Sequence, residues 1–85
     1  MKREAFMLLN CRMELQQCAL DDLKMLEVKI ESIDEIMASL FDFIIKIEAP
    51  TMEDLKNNMK EIMNLYGIRS TLSMIIPSNK KKLQA

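Results

Sequence analysis

No histidine and no tryptophan occur in this sequence, and its 85 residues hold one glycine, two prolines and two cysteines. Each shortage excludes something. Without histidine, the commonest general base and metal ligand is missing, and with it the Glu-x-x-His signature of a di-metal helical bundle. A single glycine leaves no glycine-rich phosphate loop. So few glycines and prolines argue against a fold of strands and tight turns. Cys11 and Cys18 would lie about 10 Å apart along a helix, too far to bond to each other. With no histidine and no further cysteine they make no zinc site, and they read as two small buried apolar side chains. Glu31, Asp34 and Glu35 fall near one helical turn and read as a solvated face. The expectation is a chain that is not an enzyme and needs no cofactor and no metal.

What is present is apolar and charged. Apolar residues make up 49% and charged residues 29%, which is too apolar for a disordered chain. Nine methionines suit an adaptable, gap-filling surface. Net charge is −1 but unevenly spread: residues 1–49 carry ten acids against six bases, and the end carries Lys80, Lys81 and Lys82. Lys2 and Arg3 ahead of Ala5–Leu9 mimic a signal peptide, but Asn10, Arg12 and Glu14 break the apolar stretch. The run from Ile36 to Ile47 contains Asp42 and Lys46 and is shorter than the roughly 20 residues a membrane helix needs. The chain reads as intracellular, in cytoplasm or nucleus, with no membrane partner.

One pattern dominates. Leu23, Leu26, Ile30, Ile33, Met37, Leu40, Ile44 and Ile47 follow one another at alternating spacings of three and four, the rhythm of a coiled-coil seam. Upstream, Leu8, Cys11, Leu15, Ala19 and Leu23 continue it with a change of phase. No glycine or proline interrupts the chain before Pro50. The spacing predicts an all-α fold, with a long amphipathic helix over about 3–48 that associates through this seam. Whether that helix is continuous through Ser32, which begins a Ser-x-x-Glu capping box, is left open.

Pro50 ends the first helix. Thr51 then offers an N-cap, with Glu53 and Asp54 in the first turn. A second helix is expected over about 51–66, closed by Gly67. Its apolar side, Leu55, Met59, Ile62, Met63 and Tyr66, would fold back on the wider stripe of Ile36, Phe41, Phe43 and Ile45 to make a helical hairpin. Two hairpins would pair as a bundle. Residues 70–76 form a further short segment, helical or extended, so one association domain spans 1–77. Residues 78–85 are expected to be a disordered basic tail.

Residues 61–83 show an aromatic-Gly-aliphatic turn at Tyr66-Gly67-Ile68, a Ser70-Thr71-Leu72-Ser73 helix start and a lysine-rich end. In this the stretch resembles the helix-turn-helix of pogo-type transposases and centromere-binding protein B. The resemblance implies a C-terminal helix-turn-helix within 52–76 that binds DNA, with Ser70, Thr71 and Ser73 at the groove and Arg69, Lys80, Lys81 and Lys82 on phosphates.

The acidic first helix does not suit a phosphate backbone, which makes nucleic acid the less expected partner. The favoured reading is a non-enzymatic helical interaction module, a scaffold or adaptor that oligomerises with itself as a dimer or with another helical chain. The alternatives are the small DNA-binding protein just described and a small inhibitor that occludes a partner protein's surface.

Overall fold

The structure, a computed structural model, describes residues 2–37 and 40–77. It is α+β. In chain order come β1 (Arg3–Cys11), α1 (Gln16–Met25), β2 (Lys29–Glu35), β3 (Phe43–Ala49), α2 (Met52–Met63) and β4 (Ile68–Ile76). The strands make one antiparallel sheet in the order β2-β3-β1-β4. The two β-α-β units interlock, because each crossover passes over a strand of the other unit.

Alternation along the two central strands divides the sheet into faces. Ala5, Met7, Leu9 and Cys11 of β1, and Phe43, Ile45, Ile47 and Ala49 of β3, are buried. They meet Ala19 and Leu23 of α1 and Leu55 and Ile62 of α2 in one core. Both helices therefore cover one face. The other face carries the intervening residues and is open, an arrangement an antiparallel sheet tolerates.

The helices have local causes. Thr51 caps α2: its Oγ1 accepts from the Asp54 N–H at 3.1 Å, and Glu53 and Asp54 sit in the first turn. On α1, Ala19 and Leu23 are spaced by four and are its buried residues, one helical interval on from Leu15 at its N-terminus. Gly67, after α2, lies where a Cβ would meet the Ala19 Cβ at 3.1 Å and the Leu15 carbonyl at 3.2 Å. Glycine here lets the start of β4 press against α1.

The all-α expectation fails, and with it the helix over 3–48, the helical hairpin, the coiled coil and the bundle. The region read as one helix holds three strands and a ten-residue helix. The misleading rhythm has two sources. In β3 the run Phe43-Ile44-Ile45-Lys46-Ile47 alternates inward and outward, and Ile44 and Ile47 are three apart on opposite faces. In β2 the register shifts between Ile30 and Ser32: Ile30 pairs with Ile47, Ser32 with Lys46 and Ile33 with Ile45. That β-bulge inserts one residue, Glu31, so Ile30 and Ile33 keep the same face at a spacing of three. A bulged strand thus reproduces a helical interval.

Candidate interaction surface

The open face is built by the residues that alternate with the core. Cross-strand register places Phe6 beside Lys46 and Met74, and Leu8 beside Ile44 and Leu72. Phe6, Leu8, Ile44 and Ile76 are half-buried, while Leu72 and Met74 are 50% and 45% exposed. Apolar side chains from three strands thus form a contiguous patch, and among the described residues no helix lies over it. A patch of this kind, rimmed by polar groups, marks a contact surface.

One end of the face is charged. Glu48 is directed to this side, yet its side chain is only 7% exposed. Lys29 closes on its Oε1, and the Lys2 ammonium stands 3.0 Å from its Oε2. That Oε2 is shielded from water, and the ammonium beside it is that of Lys2. Lys46 bridges Glu4 at 3.2 Å and Glu31 at 3.3 Å, and Lys2 also reaches Glu31 at 3.7 Å. Hydrogen bonding with the Glu31 carboxyl, then with the Lys29 and Lys2 ammoniums, lowers the Glu48 pKa from an ordinary 4.5 to about 2. Glu48 in turn raises Lys2, chiefly by hydrogen bonding, and Glu4 and Glu31 raise Lys46. The bulge at Glu31 makes this possible, because it turns one more acid toward the network.

Oxygens of Glu4, Glu31 and Glu48 lie within 4.8 Å of one another, the spacing of a cation site. The donor set does not fit one. Three ammoniums stand among three carboxylates and already balance them, so a cation would have to displace lysines. A groove of about 520 Å³ opens beside the network, lined by Lys2, Lys29, Glu48, Ala49 and Pro50.

At the opposite end, Asp42 fixes the approach to β3. Its Oδ2 accepts from the Cys11 N–H at 2.7 Å, its N–H donates to Leu9 at 2.8 Å, and its carbonyl accepts from Ile36 at 3.0 Å. The Asn10 side chain donates to the Leu40 carbonyl at 2.7 Å. Burial, then Asp42, pushes the Cys11 thiol up to about 11.

The structure scatters the residues assigned to the helical seam. Cys11, Ala19, Leu23 and Ile47 are core; Leu26, Ile30 and Ile33 are half-buried against it, and Leu15 is half-buried just before α1. Leu8 and Ile44 lie on the open face, while Leu40 is exposed and Met37 fully so. Of the hairpin set, Phe43, Ile45, Leu55 and Ile62 share the core and Met59 borders it. Ile36 and Phe41 are half-buried before β3, and Met63 and Tyr66 are exposed. The helix-turn-helix is absent from 52–76: Arg69, Ser70, Thr71 and Ser73 lie on β4, where a recognition helix was required. Lys80, Lys81 and Lys82 are outside the described residues. The sequence reading missed Glu48, Lys2, Lys29, Lys46, Glu4 and Asp42. Only the four residues Ile45-Lys46-Ile47-Glu48 alternate apolar and polar, and the apolar run ahead of them masks that period.

No protein-family model matches the chain, and no curated protein does. Solved structures do. FFRP-DM1 superposes with a TM-score of 0.79 at 22% identity, over 88% of this chain and 99% of that one. AsnC of E. coli gives 0.77 at 16% identity, over 98% of this chain and 56% of that one. An AsnC family transcriptional regulator from Agrobacterium tumefaciens gives 0.73 at 11% identity, over 99% of this chain and 56% of that one. At these identities the likeness shows the fold. This chain spans all but a fraction of FFRP-DM1 and little over half of the other two chains. The neighbours overturn the reading as a helical coiled-coil module. The case against nucleic acid rested on an acidic first helix, and that helix does not form: its residues make three strands and a ten-residue helix. Among the described residues no helix is long and apolar enough to cross a membrane.

Proposed function

We propose that the chain is the self-associating, non-catalytic part of a transcription-regulating system, and that it pairs with a second copy through the open face of its sheet. The carrying observation is that face: an apolar patch from β1, β3 and β4 beside a charge network that is already neutral. Burying the patch removes apolar surface from water at about 25 cal/mol per Å². The neutral network adds no net repulsion between copies. The fold likeness to AsnC-type regulators supports the role, and an intracellular site of action goes with it. The part of those regulators outside the match, a little under half of each, is where a DNA-contacting segment would reside. In this reading the described sheet and helices serve assembly rather than base contact. β4 is a strand, and the acids outnumber the bases over residues 1–49.

The test is mass in solution by light scattering for the native chain and for Ile44→Lys. Ile44 sits on β3 opposite Asp34 of β2, so a lysine there gains a nearby carboxylate and the fold is kept. The expected result is a native oligomer that Ile44→Lys dissociates with helix and sheet content retained. A native monomer at high micromolar concentration, or a variant of unchanged mass, would overturn the reading.

A further inference from the structure

The two edges of the sheet are built differently. β2 is short, carries Lys29, Glu31, Asp34 and Glu35, and is interrupted by the bulge at Glu31. Charge and bulging are the devices by which proteins stop an edge from pairing with another strand. β4 has neither along most of its length. It runs nine residues, and Arg69 is its sole charge. Its one register shift lies at the start, where Ser70 pairs with Asn10 and Ile68 with Cys11. From Ser70 to Ile76 the ladder is regular, uncharged and free of proline, and Thr71, Ile75 and Ile76 are strand-forming types. Among the described residues no strand lies beyond its outer row of backbone N–H and C=O groups.

We propose that β4 is a second interface, on which β4 of another copy adds antiparallel, joining two four-stranded sheets into one of eight strands. Charge selects this direction, and continuity of the apolar patches across the joint selects a second copy as the occupant. In an antiparallel pair centred on Leu72 or Ser73, the two Arg69 side chains stand at opposite ends, six or more residues apart. That is about 20 Å at 3.3 Å per residue, well beyond the roughly 8 Å screening length at physiological salt. A parallel pair would set the two arginines side by side. The antiparallel arrangement is two-fold and closes on itself, so it ends at two copies instead of growing into a filament. Centred on Ser73, it also places Leu72 of each copy against Met74 of the other on the open face. The two apolar patches then become continuous across the joint.

This interface is independent of the face pairing, and together the two give a tetramer of the 9.9 kDa chain. Along an edge strand successive residues direct their backbone groups alternately to the neighbouring strand and outward. Of Leu72→Pro and Ser73→Pro, one therefore leaves every β1–β4 bond intact and blocks only the outer row. The experiment measures circular dichroism and light-scattering mass for both. The variant that stays folded is expected to halve the native mass, and adding Ile44→Lys to it should give monomer. A folded proline variant of native mass would overturn the edge proposal while leaving the face reading standing. Native mass retained in Ile44→Lys but halved by proline would do the reverse. Should both prolines unfold the chain, amide exchange on the native protein decides. Protection at every residue from Ser70 to Ile76 supports the pairing, whereas fast exchange at alternate residues, independent of concentration, rejects it.

Discussion

The Lys2 ammonium stands 3.0 Å from Oε2 of Glu48, a carboxylate oxygen with no access to water. A residue at the start of the chain thus covers a charge on the central strand β3, and the pair has a readable consequence with pH. Glu48 titrates at about 2 when folded, against an ordinary 4.5. A depressed carboxylate contributes stability above its unfolded pKa and loses it as pH falls toward the folded one. Stability from this network should therefore be fully present above about pH 5 and decline from 4.5 toward 2. Urea melts at stepped pH check this. Glu48→Gln should lower stability at pH 7 and flatten that acid limb. A Glu48→Gln curve parallel to the native one down to pH 2 would show that the network does not couple to folding.

Burial predicts a contrast between two residues of the apolar rhythm. Ile47 is fully buried and Met37 is fully exposed, although a coiled-coil seam would bury both. Ile47→Ala should cost about 2–5 kcal/mol, while Met37→Ala should stay within about 0.5 kcal/mol. Chemical denaturation measures both. Similar losses at the two positions would contradict the sheet.

The fold was legible in parts, for local reasons. Thr51 with two acids behind it reads directly as a helix start, and the apolar spacing after it reads as a stripe. That information is contained within one turn. The spacing by four of Leu15, Ala19 and Leu23 is likewise a true helical interval. The strands were not legible, because each of their signals had a helical counterfeit. The bulge at Glu31 converts a two-residue period into a three-residue one. In Phe43–Ile47 the apolar residues fill both faces, since the open face is apolar too, and a run without polar alternation does not announce its period. The charge network was hidden for another reason. Lys2, Glu31 and Glu48 are distant in sequence, and only the antiparallel register brings them together.

Glycine is present at one tight point and absent from another. At Gly67 an added Cβ would press on Ala19 and on backbone atoms of α1 at 3.1–3.2 Å. Gly67→Ala should therefore cost about 1–3 kcal/mol as an overpacked contact. Glu14, before α1, has a φ of 63°, a left-handed conformation that costs a side-chain-bearing residue roughly 1 kcal/mol. Glu14→Gly should be neutral or stabilising by up to about 1 kcal/mol. In thermal melts Gly67→Ala should lower the midpoint, and Glu14→Gly should leave it unchanged or raise it.

The two cysteines supply a probe of opening. Cys11 is buried in the core and Cys18 is exposed on α1. Burial, then Asp42, pushes Cys11 up to about 11. Burial, then Asp22, whose Oδ2 lies 3.8 Å from the sulfur, raises Cys18. The thiolate is the reacting species, so at pH 7.5 both should react more slowly than a free thiol, for different reasons. At Cys18 the part of the brake that a substitution can remove is a local charge, and Asp22→Asn should speed its modification without changing stability. At Cys11 the brake is the fold, because the reagent reaches the sulfur only when β1 leaves the sheet. Its rate should therefore follow unfolding free energy across urea concentrations, falling below that of Cys18 by the opening equilibrium constant. Mass spectrometry of a timed alkylation separates the two sites. Comparable rates at Cys11 and Cys18 in the absence of denaturant would mean that the end of β1 frays. The Asp42 contact to the Cys11 N–H at 2.7 Å would then not hold that end closed in solution.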